Sequence, residues 1–197
     1  MVILGVDPGY AIVGCGVIDY NGNRFRTICH TAVTTPAKTE LDYRLEMIYD
    51  GITELIDKYQ PSAMSIEKLF FNTNTTTAIA VAEARGCILL AARKKGIPVF
   101  EYTPLQIKMA VTGYGRAEKK QVIAMVSAIL KLSKPPKPDD TADAIAIAQV
   151  QRPRHLECQI AIITHTGLFL LSRLGLFFLQ LFLFLRSQRC IIIFTFP

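Results

Sequence analysis

Asp7 closes a short apolar run, Val2-Ile3-Leu4-Gly5-Val6, and Pro8-Gly9 follows at once. The run reads as a strand covered on both faces. Pro-Gly reads as a sharp turn. An acid at the C-terminal end of a central strand sits where open α/β sheets place their ligands. For Asp-Pro-Gly alone, a solvated turn is the alternative. A second acid, Glu67, closes another apolar stretch, Ala63 to Ile66. Asp140 and Asp143 stand three apart where a helical pattern begins, so they share a face. Acids there also complement a helix dipole, which is the plainer account of them. Four carboxylates gathered in one place would raise each other's pKa unless a cation sat between them. Hard oxygen donors without His or Cys favour Mg²⁺ or Mn²⁺. Two such ions ~3.5–4 Å apart can clamp the attacking and leaving oxygens of a phosphodiester.

The elements that must bring these acids together follow from the pattern. Ala11 to Tyr20 and Arg24 to Val33 read as antiparallel strands joined at Asn21-Gly22, a hairpin signal. Leu41 to Tyr59 carries Leu41, Leu45, Ile48, Ile52, Leu55 and Ile56 on one helical face. Strand, helix, strand implies a parallel return, which sets Glu67 beside Asp7 at one sheet edge. Ala78 to Lys95 reads as an Ala-rich helix whose small residues suit either internal packing or a dimer contact. A strand over Val99 to Tyr102 and helices over Leu105 to Val111 and Ala117 to Leu132 come next. After a KPPKP linker, Asp139 or Asp140 is expected to cap a last helix. Its alanines would let it lie close against the sheet.

The length of 197 residues suits one domain with a sizeable core. The net charge of +6 is uneven. Residues 1–92 carry seven basic and ten acidic groups, whereas residues 93–137 carry ten basic groups against Glu101 and Glu118. Such a block suits a polyanion, nucleic acid first, or else a set of solvated helix faces. The five cysteines form no CxxC pair and the three histidines are scattered, so a zinc site has little support. An odd cysteine count without a framework, and no signal-peptide pattern, point to a cytoplasmic protein.

GVDPG at 5–9, SIEKLF at 65–70, the AxAxxEARG run at 78–86, FEYTPLQIK at 100–108, GRAEKKQV at 115–122 and PDDTADAIAIA at 138–148 resemble the RuvC-type Holliday junction resolvases. The match is collinear and covers about residues 1–148. The resemblance implies an α/β, ribonuclease H-like fold with a five-stranded mixed β-sheet flanked by helices. It implies a homodimer that binds a four-way DNA junction and nicks two strands of like polarity, with a RuvA–RuvB branch-migration complex as partner. It places the catalytic, metal-holding carboxylates at Asp7, Glu67, Asp140 and Asp143, with two Mg²⁺ per site and Mn²⁺ as a substitute. Asp7 is then expected to bridge both ions. It also implies that Lys108 and Lys119 contact phosphate near the cut and that Phe70 stacks on an unpaired base. The alternatives are solubility for the lysines and core packing for Phe70, as for its neighbour Phe71.

The resemblance stops after Ala148. Leu168 to Leu185 is a near-continuous apolar run, and seven of the eleven Phe follow residue 160. So abrupt a change of composition suggests a separate origin. Residues 1–148 are therefore expected to be the nuclease domain, and 149–197 an aberrant tail from a reading-frame shift. A membrane segment is disfavoured: eighteen residues is near the lower limit for a span, and Arg173 lies inside it. The competing functions are another ribonuclease H-like nuclease, acting on RNA or RNA–DNA hybrids, and a degenerate DNA-binding protein with a membrane-associated tail.

Overall fold

The computed structural model describes residues 1–22, 24–69, 77–132, 136 and 138–151. All lie within the compact unit Met1–Arg152. Phe70, Phe71 and the apolar tail fall outside the described residues. Among the described residues, no helix is long and apolar enough to cross a membrane.

The apolar run at the N-terminus is strand β1, Val2–Asp7. Strands β2, Ile12–Asn21, and β3, Arg24–Thr34, form the expected hairpin. Gly22, with φ +52°, supplies the left-handed backbone its turn needs. Helix α1, Leu41–Tyr59, buries Ile48, Ile52 and Ile56, one every four residues. Gln60 ends it in the left-handed region, and strand β4, Ala63–Glu67, returns. Helix α2, Ala78–Lys94, crosses to strand β5, Val99–Tyr102. The sheet order is β3-β2-β1-β4-β5. β1 and β2 are antiparallel, as are β2 and β3, whereas β1–β4 and β4–β5 are parallel. This is the mixed five-stranded sheet that the resemblance implies.

Both faces of the sheet are covered. Leu4, Val6, Val13 and Ile66 face α1 and α2, in one core with Ile48, Ile52, Ala84 and Ile88. Ile3 and Ile18 face the other way, in a core with Ile145 and Ile147. Those last two belong to helix α5, Asp139–Val150. Helices α3, Pro104–Thr112, and α4, Lys119–Ile129, add Ile107, Val111, Val122 and Val126 to the same core.

Helix α5 meets the sheet over a floor of glycine. Gly5 stands opposite Gly16 in the ladder, and Gly14 opposite Asp7. A Cβ on Gly5 would lie 2.0 Å from the Ala144 carbonyl oxygen, and one on Gly14 would lie 2.1 Å from that of Asp140. The alanines of α5 complete the close approach: Ala142, Ala144, Ala146 and Ala148 are fully buried.

Two local expectations need correction, and the basic block proves to be divided. Pro138, not Asp139 or Asp140, is the N-cap of α5, and the Thr141 hydroxyl donates to the Pro138 carbonyl at 2.6 Å. Both acids thus fall in the first turn, where they complement the helix dipole. Helix α4 is shorter than the apolar pattern predicts. Its N-terminus is set at Glu118, whose backbone N–H donates to the Gln121 side chain at 2.9 Å, and Lys131 turns left-handed just beyond its end. The basic block does not share one end of the fold. Arg93 and Lys94 close α2 beside the start of β5, and Lys95 pairs with Asp57 at 2.6 Å. Lys108, Arg116 and Lys119 come after β5 has run to the opposite edge, beyond Tyr102. The strand between the two groups separates them.

Candidate metal centre

Asp7 ends β1 and Glu67 ends β4, and the parallel register that pairs Val6 with Ile66 brings both to one edge. The first turn of α5 arrives at the same edge because Gly14, opposite Asp7, lets the Asp140 backbone sit on the sheet. Asp7, Asp140 and Asp143 each offer a carboxylate oxygen, and these three atoms lie within 4.8 Å of one another. Glu67 is not part of that trio, but its charge acts on Asp7, and the charge of Asp143 acts on it.

The cluster is electrostatically strained. Burial first, then the charges of Glu67, Asp143 and Asp140, push the Asp7 carboxyl up from its ordinary 3.8 to about 8, with Lys119 opposing. Burial and the charge of Asp143 push Glu67 up to about 7, with Lys108 opposing. Asp143 is also raised, by burial against the pull of Lys119. The Lys119 ammonium lies 3.1 Å from Asp143 and 3.9 Å from Asp139. Burial lowers its pKa, but the bond to Asp143 and the neighbouring acids outweigh that and hold it above its ordinary value. Hard oxygen donors that repel one another fit a divalent cation, because a dication removes the repulsion that now favours their protonated forms.

The site residues proposed from sequence thus fall into three groups. Asp7, Asp140 and Asp143 come together. Glu67, Lys108 and Lys119 surround them, Lys119 by direct contact. Phe70 lies outside the described residues.

Two contributions were not read from the sequence. One is the glycine floor, whose only sequence signal is VGCGV opposite a glycine in the first strand. The other is Arg85 on α2. Its Nε donates to the Glu67 carbonyl oxygen at 3.4 Å, and it pairs with Glu101 of β5 at 2.9 Å. Arg85 thereby ties the end of β4 to its neighbour strand and limits where Glu67 can move. It lies in the EARG run that carries the resemblance, but nothing in that run gives it a role.

Residues 3–151 match the family described as crossover junction endodeoxyribonuclease RuvC. A protein of that name from Rubrobacter xylanophilus is 56% identical over 147 residues, spanning 75% of this chain and 82% of the relative. Another, from Desulforamulus reducens, is 53% identical over 148 residues, spanning 75% and 91%. The structure of Thermus thermophilus RuvC in complex with a Holliday junction substrate superposes with a TM-score of 0.73 at 36% identity, over 76% of this chain and 92% of that one.

Proposed function

The chain belongs to the RuvC family of crossover junction endodeoxyribonucleases, and we propose that it resolves Holliday junctions by paired, symmetrical nicks through Mg²⁺-dependent hydrolysis of the DNA backbone. The observation that carries this reading is the trio of Asp7, Asp140 and Asp143 oxygens within 4.8 Å, with Lys119 against Asp143. Without a cation, ionising Glu67 takes a pH above about 7 and ionising Asp7 a pH above about 8; a bound cation favours the ionised form of both.

In this reading Asp7, Glu67, Asp140 and Asp143 hold two Mg²⁺, for which Mn²⁺ can substitute. Bound divalent cations supply Lewis acidity toward the attacking water and the departing oxygen. The protein's own residues do the rest. Asp7, held at the strand end by its pairing with Gly14 of β2 and following Val6, which pairs with Ile66 of β4, would be the central ligand of the donor set. Lys119 exchanges Asp143 for the phosphate, and Lys108, whose charge already reaches Glu67, stabilises the negative charge that develops there. Phe70, three residues past Glu67, stacks on an unpaired base at the junction centre. Gly14 keeps the Asp140/Asp143 turn against the strand that carries Asp7.

The protein acts as a homodimer, so that two sites cut strands of like polarity. The outward face of α2 supports this: Ile79 is 73% exposed and Leu90 is 52% exposed, and open space lies over Gly86 between them. A RuvA–RuvB motor is the partner that the family resemblance implies, in the cytoplasm. Residues 1–148 form the nuclease domain. The family match ends at residue 151, in keeping with 149–197 as an aberrant tail.

The test is a panel of a synthetic four-way junction, the same sequence as linear duplex, and an RNA–DNA hybrid, each with Mg²⁺. Paired nicks on the junction alone are expected. Asp7→Asn is expected to bind the junction and lose nicking by about 10²–10³-fold, the scale of removing one electrostatic stabiliser. Cutting of the hybrid in preference, or parental rates in Asp7→Asn, would refute the reading.

A further inference from the structure

Arg44 lies on the buried face of α1, with only 9% of its surface exposed. Its Nε donates to the Thr35 hydroxyl at 2.8 Å, and its guanidinium lies 4.3 Å from the centroid of the Tyr10 ring. Thr35 in turn donates to the Tyr10 carbonyl at 2.7 Å. Among the described residues, no carboxylate pairs with Arg44. Among the described residues its guanidinium makes one hydrogen bond, through Nε, which leaves the terminal N–H groups without a protein acceptor. A buried cation without an anion is costly, and a stacked, hydrogen-bonded guanidinium cannot swing away to find one.

Its place limits what the anion can be. Tyr10 comes three residues after Asp7, and Thr35 directly follows the pairing of Thr34 with Ile12, so Arg44 stands at the sheet edge where the acids gather. It is on the α1 side of the sheet, whereas Asp140 and Asp143 arrive on the α5 side. The charges that act on Asp7 are Glu67, Asp143, Asp140 and Lys119, so Arg44 is not the counter-ion of the cluster.

We propose that Arg44, held between Tyr10 and Thr35, binds a backbone phosphate of the DNA strand that passes over this edge to the acidic centre. A planar guanidinium with free terminal N–H groups matches two phosphate oxygens at once. The inference rests on the reading of the acidic centre as a DNA-cutting site.

The test uses the full chain with divalent metal chelated, so that cutting does not intervene. Affinity for a synthetic four-way junction and for linear duplex is measured across a salt series, for the parent and for Arg44→Met. Loss of one phosphate contact lowers the slope of log affinity against log salt by about 0.9. That change is expected, with affinity falling about tenfold at low salt and Mn²⁺ affinity unchanged. An unchanged slope would overturn the proposal, and all the more clearly if Mn²⁺ affinity fell, since Arg44 would then only brace the loop after Asp7. If Arg44→Met does not fold, Arg44→Gln keeps an N–H for Thr35, drops the charge and carries the same expectation. A parent with no preference for the junction would refute the substrate reading. A lowered slope on linear duplex would still support the phosphate contact in that case.

Discussion

Asp7 is where residue chemistry and stability conflict most. Its pKa of about 8 against an ordinary 3.8 means that the folded chain keeps a proton which the unfolded chain has lost. Between those values the unfolded state binds fewer protons, so stability falls as pH rises. Glu67, at about 7 against 4.5, acts in the same direction over a narrower window. Thermal unfolding of the metal-free protein should therefore show a midpoint that drops by several degrees from pH 5 to pH 8. Asp7→Asn should flatten much of that slope, and saturating Mg²⁺ should raise the midpoint more at pH 8 than at pH 5. At this scale the sequence was informative where a residue's role is tied to an element end. Asp7, Glu67, Asp140 and Asp143 each stop a strand or start a helix. Arg44 and Arg85 were not legible, because each acts through a partner that only the tertiary fold supplies, Tyr10 and Thr35 for one and Glu101 for the other.

The elements matter through one contact above all, the seat of α5 on β1 and β2. Gly14→Ala would drive a methyl group to 2.1 Å from the Asp140 carbonyl oxygen, so the helix must lift at the end that carries the acids. Overpacking of this kind costs about 1–3 kcal/mol. The expected outcome is a lower denaturation midpoint and a loss of Mn²⁺ affinity larger than Gly16→Ala causes, because Gly16 faces Ile145, farther along the helix. Equal Mn²⁺ losses in the two variants would argue against a special role for Gly14. The strand order could be read from the hairpin and the strand–helix–strand return, since turn chemistry and crossover handedness leave few choices. The cap of α5 could not, because three consecutive positions, Pro138, Asp139 and Asp140, all suit a helix start. The Thr141 bond to Pro138 decides among them.

For the whole molecule, charge and symmetry set the expectations. The separation of Arg93 and Lys94 from Lys108, Arg116 and Lys119 means that total charge overstates the surface facing the acids. The concentration of basic residues in 93–137 was legible in the sequence, but not the block's division in space, which depends on the direction of β5. The outward face of α2 should hold two copies together. Leu90→Asp is expected to give a monomer in sedimentation while metal binding persists, and to turn paired nicks into single ones. A dimer that survives Leu90→Asp together with Ile79→Asp would place the interface elsewhere. All of this depends on the acids forming one cation site, which titration of the protein with Mn²⁺ at pH 8, followed by the electron paramagnetic resonance of free metal, measures most directly. The expected result is saturable binding to the parent that weakens at least about tenfold in both Asp7→Asn and Asp140→Asn. The same affinity and number of ions in all three proteins would mean that β1 and α5 do not share a metal.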